Sequence, residues 1–261
     1  MKKPLVVILI TLLTFALYYI LDEMYFGELR FWLLELTGQL GLSHNLTYLL
    51  SGLPLYIAIQ FLFPKYSLLR NFGLDQSVLR ALVFALICTL PMFLGFGFTM
   101  AFNEDLGVDK FLITVVAAGF FEELFFRGFL FGNLYRGTRL GFIPSVFLGA
   151  LLFGLVHLYQ SSEISELIGI FLVTFLGGFL FAWVYVEWGF NLWVAIFLHA
   201  FMNLAWDLFD VSSNALGDVY PNIFRLITIA LVIGGTIGYK RFRGIPLAIN
   251  RSNLFLKPAA K

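Results

Sequence analysis

The sequence predicts an all-α, polytopic membrane protein, a bundle of about eight transmembrane helices that encloses a polar intramembrane cavity. Its 261 residues are 60% hydrophobic and 13% charged, with a mean hydropathy of +0.90, whereas a soluble domain is about half apolar and a quarter charged. The apolar residues are also grouped into runs long enough to cross a bilayer as helices. We therefore expect one integral membrane domain over residues 1–261.

Charge and cysteine content exclude several other classes. The formal net charge is +1 and no basic patch of the kind that binds nucleic acid is present, so we expect no nucleic-acid partner. Cys88 is the only cysteine. An internal disulfide and a cysteine-based metal cage are therefore both excluded.

The first apolar run covers residues 4–21 and follows Lys2 and Lys3. No small-residue cleavage site comes after it, so the pattern predicts a retained span and not a signal peptide. Residues 22–45 mix apolar with charged side chains. We expect them to lie in the membrane interface.

Seven further apolar runs bring the count to eight spans. They cover residues 46–63, 81–102, 111–135, 142–159, 167–186, 190–209 and 223–239. Pro54 and Pro91 lie inside two of these runs and should kink their helices.

The segments between the runs alternate in charge, which predicts the orientation. The basic segments contain Lys2, Lys3, Lys65, Arg70, Arg80, Arg136, Arg139, Lys240, Arg241, Arg243, Arg251, Lys257 and Lys261. The acidic segments contain Asp22, Glu23, Glu28, Glu35, Glu104, Asp105, Asp109, Glu163, Glu166, Asp207, Asp210 and Asp218. Only Glu187 breaks the pattern. An even number of spans with basic cytoplasmic segments predicts that both termini are cytoplasmic.

Two adjacent carboxylates, Glu122 and Glu123, stand in the middle of the run 111–135. An ionisable residue within a span is a functional-site hypothesis by default. Glu123 and Arg127 are four residues apart and can pair on one helical face, and a structural ion pair is the favoured reading for them. Glu122 lies about 100° around the helix from Glu123, so it is free to face another group.

Two other runs each carry polar residues: His157 in one, His199 and Asn203 in the other. Lipid cannot satisfy such groups, so the simplest solution brings them together inside the bundle. A carboxylate can take a proton from water, imidazole can hold that water, bind a metal or shuttle a proton, and an amide can stabilise an oxyanion. The set suits a hydrolase that uses activated water, although no H-E-x-x-H or G-x-S-x-G motif is present.

These residues resemble the three motifs of the CPBP family, which contains eukaryotic CAAX prenyl proteases and bacterial relatives linked to bacteriocin processing and immunity (the Abi group). The motifs are Glu-Glu-x-x-x-Arg beginning at Glu122, Phe-x-x-x-His ending at His157, and His-x-x-x-Asn beginning at His199. The motif-bearing core covers about residues 111–208. The resemblance implies an intramembrane endopeptidase that acts on a membrane-embedded or lipidated peptide.

The resemblance also implies roles for the motif residues. Glu122 would be the general base that activates water, and His157 would orient that water. His199 and Asn203 would stabilise the tetrahedral oxyanion.

Glu123, paired with Arg127, would support the site. A metal mechanism is left open, with Glu122, His157 and His199 as the ligand set and zinc as the metal, because two histidines and a glutamate can leave one open position.

Two alternatives belong to other classes of protein. One is a non-catalytic immunity or regulatory scaffold in the membrane. The other is a proton-coupled transporter, which predicts inverted repeats that the sequence does not show. For either enzyme or scaffold, we expect location in a bilayer, the bacterial cell membrane being favoured.

Overall fold

The computed structural model describes residues 3–258, and helices form nearly all of this part of the chain. The helices are α1 Pro4–Thr37, α2 Leu40–Ser51, α3 Leu53–Leu62, α4 Leu68–Phe72, α5 Val78–Thr99, α6 Val108–Lys110, a π-helix Phe111–Phe131, α7 Gly132–Gly137, α8 Phe142–Val156, α9 Ile164–Glu187, α10 Leu192–Leu208 and α11 Val219–Phe242. A short 3₁₀ turn, Leu158–Gln160, follows α8. Residues 3–258 contain no β-strand, only an isolated bridge between Leu140 and Leu256. Lys2 and Lys261, which contribute to the charge pattern, lie outside the described residues.

Six helical segments within residues 3–258 are long and apolar enough to cross a membrane. They are Pro4–Thr37, Leu40–Leu62, Val78–Thr99, Phe142–Gln160, Ile164–Glu187 and Val219–Phe242. The six do not include Phe111–Phe131, which carries three charged residues, or the 17-residue helix α10. Each of the eight predicted apolar runs therefore coincides with a helix or a helix pair. The prediction of an all-α, polytopic membrane protein is confirmed.

Helix α1 is longer than the sequence predicts. It passes through Asp22 without a break and ends at Thr37, so the helix extends 16 residues beyond the first apolar run, 4–21. Acidic side chains on a helix surface do not interrupt its backbone hydrogen bonds. The chain leaves the helix only at Gly38, whose φ of 66° is left-handed and whose N–H bonds the Leu34 carbonyl, the usual glycine ending.

The predicted kink at Pro54 is present as a break between α2 and α3 at Gly52. Proline fits the first turn of α3, where its missing N–H has no helical partner. A Cβ at Gly52 would come within 2.6 Å of the Tyr56 ring and 2.9 Å of Phe125. In contrast, helix α5 continues through Pro91.

The π-helix is the central element, and it packs against α2, α8 and α10. At its end the N–H of Gly132 bonds the carbonyl of Arg127, five residues earlier. π-helical winding is rare, occurs mostly as single turns within α-helices, and is frequent at functional sites. A Cβ at Gly119 would lie 2.8 Å from Ala200 Cβ and 2.9 Å from its Cα, so glycine lets the π-helix approach α10 next to His199.

Candidate active site

Glu123 is the centre of a buried charged group. Its side chain is completely buried, and its Oε1 lies 3.0 Å from Arg127 Nη1 and 2.8 Å from His199 Nδ1. The pairing of Glu123 with Arg127, expected from their four-residue spacing, is confirmed. Because a carboxylate oxygen accepts, the His199 Nδ1–H is the donor to Glu123.

Arg127 is held by charge and by aromatic rings. Its guanidinium carbon lies 4.3 Å from the centre of the Phe153 ring and 5.4 Å from that of Phe181, within the range of cation–π attraction. Neither Nη atom makes a well-aligned hydrogen bond within residues 3–258. Arg127 therefore depends on the charge of Glu123 for its compensation in a buried position.

His199 joins the two carboxylates. While Nδ1 bonds Glu123, Nε2 lies 3.9 Å from Glu122 Oε2. The imidazole also stacks on Phe181, with ring centres 5.5 Å apart and planes 22° apart. This contact and the bond to Glu123 together fix the direction in which Nε2 points.

Glu122 is placed differently from Glu123. Its side chain keeps 23% of its exposure, whereas that of Glu123 is completely buried. The Oε2 atoms of both residues have no hydrogen-bond partner within the described part of the chain. The 3.9 Å to His199 Nε2 is too long for a direct hydrogen bond. Glu122 is thus the carboxylate of the pair that remains available.

His157 lies at the end of α8, as its position in the apolar run suggests. It caps the helix and is followed by the 3₁₀ turn. Its Nδ1 is 2.6 Å from the Phe153 carbonyl oxygen, so Nδ1–H donates and Nε2 remains an acceptor in the neutral ring. The ring of Phe153 is 4.5 Å from that of His157 and 6.3 Å from that of His199. Phe153 therefore contacts both histidines.

Asn203 is engaged elsewhere in the structure. Its Nδ2 donates to the backbone carbonyl of Thr114 over 2.9 Å, and the Thr114 hydroxyl bonds the Asp207 carboxylate. Asn103 Nδ2 donates in turn to the Asp207 carbonyl over 2.7 Å. These bonds tie the start of the π-helix to α10. The structure thus brings Glu122, Glu123, Arg127 and His199 together, whereas the amide of Asn203 is bonded to the backbone one turn away.

The side chains do not form a ready metal site. Within residues 3–258, no group of three or more His, Cys, Asp or Glu side chains is placed to hold a metal ion. Glu122, His157 and His199, the set left open for zinc, are not grouped in that way, and the His157 Nδ1 is committed to Phe153. The residues do not fit a three-ligand metal in this arrangement.

Sequence reasoning missed several residues of this region. Phe153 is part of the Phe-x-x-x-His motif, but the sequence did not indicate that its ring contacts Arg127. Asp207 is four residues after Asn203, a spacing that could have indicated it. Phe181 and Thr114 gave no signal, because an apolar residue and a threonine in a span have no distinctive pattern.

Comparison with known proteins supports the motif assignment. Residues 87–205 match the family model described as Type II CAAX prenyl endopeptidase Rce1-like, a peptidase family. The matched range contains all three motifs, which confirms the predicted resemblance. A search of curated proteins and a search of solved structures found no match.

Proposed function

Because residues 87–205 match the Rce1-like type II CAAX prenyl endopeptidase family, we propose that this integral membrane protein is an intramembrane endopeptidase. It hydrolyses a peptide bond in a membrane-embedded or lipidated peptide, with Glu122 as the general base. The observation that supports this most directly is the unequal placement of the two carboxylates: Glu123 is completely buried and contacts both Arg127 and His199, whereas the Glu122 side chain keeps 23% of its exposure and lies 3.9 Å from His199 Nε2.

In the proposed reaction, a water molecule between Glu122 and His199 is the nucleophile. Glu122 Oε2 and His199 Nε2 are 3.9 Å apart. After a small movement of either side chain, one water molecule can form hydrogen bonds to both. Glu122 takes a proton from the water while the water oxygen attacks the peptide carbonyl carbon. The same carboxylic acid then returns the proton to the leaving amine.

His199 acts in the position that Glu123 gives it. With Nδ1–H bonded to Glu123, the neutral ring accepts a hydrogen bond from the water at Nε2. When both nitrogens are protonated, Nε2–H donates to the oxyanion of the tetrahedral intermediate. Either use depends on the fixed ring orientation, which is the supporting role we propose for Glu123 and Arg127.

His157 and Asn203 complete the proposed machinery. The Nε2 atom of His157 is an acceptor that can orient water, because Nδ1–H is bonded to Phe153. Asn203 uses an N–H on the Thr114 carbonyl, and its second N–H remains for the oxyanion. The proposed location is a bacterial cell membrane, with both termini in the cytoplasm.

The test is proteolysis by purified Glu122→Gln. The full chain, in proteoliposomes, is incubated with a prenylated CAAX peptide and separately with a single-span membrane peptide. Loss of a sole general base should lower the rate about 10²- to 10⁴-fold, with unchanged thermal unfolding. Glu104→Gln, at an exposed position between α5 and α6, is the matched control and should keep full activity. Cleavage by Glu122→Gln at the wild-type rate would exclude the proposed role, and a phenotype that survives this substitution would favour the scaffold alternative.

A further inference from the structure

The C-terminal segment 244–258, here called the strap, is a folded part of the protein. It begins where α11 ends: the N–H of Ile245 bonds the Lys240 carbonyl over 2.8 Å, and Gly244 turns the chain with a φ of 66°. Two later parts of the strap, residues 248–249 and 253–257, are bonded to other helix ends or to the turn before α8. The strap therefore has a fixed conformation, and the side chains on its surface have fixed positions.

Glu187, at the end of α9, holds the middle of the strap. Its buried carboxylate forms an ion pair with Lys240 and accepts the backbone N–H groups of Ala248 and Ile249, each over 2.9 Å. This explains why Glu187 is the exception in the charge pattern. Its charge is neutralised internally by Lys240 and contributes little to the surface.

The end of the strap caps α8. Three backbone N–H groups that have no partner within the helix donate to strap carbonyls: Gly141 to Phe255 over 2.7 Å, Phe142 to Asn253 over 2.9 Å and Ile143 to Leu254 over 2.8 Å. Such groups need partners at any buried helix start. In addition, the Lys257 N–H bonds the Arg139 carbonyl over 2.8 Å, and its Nζ turns inward to the Tyr135 carbonyl.

These contacts place the strap at one membrane boundary. One end of each of three candidate spans contacts the strap: Val219–Phe242, Ile164–Glu187 and Phe142–Gln160. A segment bonded to the ends of three spans lies along the plane where those spans leave the hydrocarbon. That plane is the headgroup layer of the bilayer.

The side chains that the strap region exposes are apolar or positively charged, apart from the uncharged polar residues Asn250 and Ser252. Exposed fractions are 88% for Phe242, 65% for Phe255, 64% for Leu256, 46% for Ile245 and 39% for Leu247. Arg139, Arg241, Arg243 and Arg251 are also exposed, and no hydrogen bond or ion pair of their side chains occurs within residues 3–258. The sequence from 219 to 258 contains no Asp or Glu.

We propose that the strap is an interfacial binding surface for anionic phospholipids. The apolar side chains of the strap, with Phe242 beside it, enter the boundary of the acyl chains. Arg251 of the strap and the neighbouring Arg139, Arg241 and Arg243 bind the headgroup phosphates. Exposed aromatic and aliphatic residues beside arginines are the composition that binds at this depth. Each arginine near an anionic membrane surface contributes about 1 kcal/mol, which corresponds to roughly a fivefold change in lipid preference per residue.

The experiment follows the environment of position 255. The full chain with Cys88→Ser and Phe255→Cys carries an environment-sensitive fluorophore and is placed in nanodiscs of phosphatidylcholine, with or without phosphatidylglycerol. We expect protection from aqueous iodide and strong quenching by lipids with shallow nitroxides, both enhanced by phosphatidylglycerol. The variant Arg241→Gln/Arg243→Gln/Arg251→Gln should lose the enhancement. Arg80→Gln, an exposed arginine at the start of α5, is the matched control and should keep it.

Two results would overturn the proposal. If iodide reaches the fluorophore in nanodiscs as readily as in detergent, the strap does not contact lipid. If the protection is equal with and without phosphatidylglycerol and the triple variant leaves it unchanged, anionic lipid is not the partner. Repeating the measurement with Leu256→Cys separates these results from a local disturbance caused by replacing Phe255. None of the outcomes depends on peptidase activity.

Discussion

Replacing Glu123 by glutamine should destabilise the protein more than any other single change in the charged group. The substitution keeps the shape of the side chain but removes its charge. Arg127, whose side chain is 3% exposed and lies 3.0 Å from Glu123, would then be a buried cation that has lost its nearest counter-charge. Glutamine can still accept from His199 Nδ1, so the loss falls mainly on the arginine.

The magnitude follows from the burial. Removing one partner of a buried ion pair costs about 3–5 kcal/mol. Stacking of the guanidinium between Phe153 and Phe181 remains in the variant and contributes up to about 2 kcal/mol when desolvated. We therefore expect a loss near the lower end, about 3 kcal/mol, or roughly a 10²-fold change in the unfolding equilibrium.

The assay is equilibrium unfolding in mixed micelles of dodecyl maltoside and sodium dodecyl sulfate, followed by tryptophan fluorescence. Glu123→Gln/Arg127→Met is the informative partner variant, because removing both charges relieves the unpaired arginine. It should unfold later than Glu123→Gln alone. If Glu123→Gln unfolds at the wild-type midpoint, or if the double variant is the weaker of the two, the buried charge of Arg127 does not depend on Glu123.

Three further predictions concern other parts of the chain. Asn203→Ala should lower peptidase activity about 10²- to 10³-fold if the amide serves the oxyanion; loss of only about 1 kcal/mol of unfolding free energy with retained kcat would instead assign it to the Thr114 contact. Glu187→Gln leaves a buried lysine unpaired and should cost about 3–5 kcal/mol, with faster trypsin cleavage of the strap; cleavage at the wild-type rate would contradict the role of this carboxylate. Cysteine labelling in Cys88→Ser at Asp218 and Arg243 should occur from opposite sides of the membrane, and labelling of both from one side would exclude the proposed topology.

The sequence was most informative about polar side chains in the spans, because leaving such a group without a partner in a bilayer costs free energy. A charged or imidazole side chain in a span must find a partner inside the bundle, so the meeting of Glu123, Arg127 and His199 could be predicted from their presence alone. The length of α1 could not, because hydropathy reports compatibility with lipid and not helix formation. The residues after Asp22 are too polar for the hydrocarbon core of a bilayer, but they form a regular helix.

Partners on the backbone were beyond sequence reasoning. Asn203 bonds a carbonyl of Thr114, and Glu187 bonds two strap N–H groups; every residue offers such atoms, so no pattern marks the ones used. The π-helical winding of Phe111–Phe131 was also not predictable, since the same apolar composition suits an α-helix. These contacts depend on tertiary packing.

The contact between Gly119 and Ala200 limits how far apart the π-helix and α10 lie. A methyl group at position 119 would meet Ala200 backbone and side-chain atoms at 2.8–3.1 Å, so the two helices would have to separate by roughly 1 Å to restore normal packing distances. Displacements of about 1 Å between reacting groups can cost about 10²-fold in rate. Glu122 belongs to one of these helices and His199 to the other. The distance between the Glu122 carboxylate, the proposed base, and the His199 imidazole therefore depends on glycine at position 119, a residue that has no reactive group of its own.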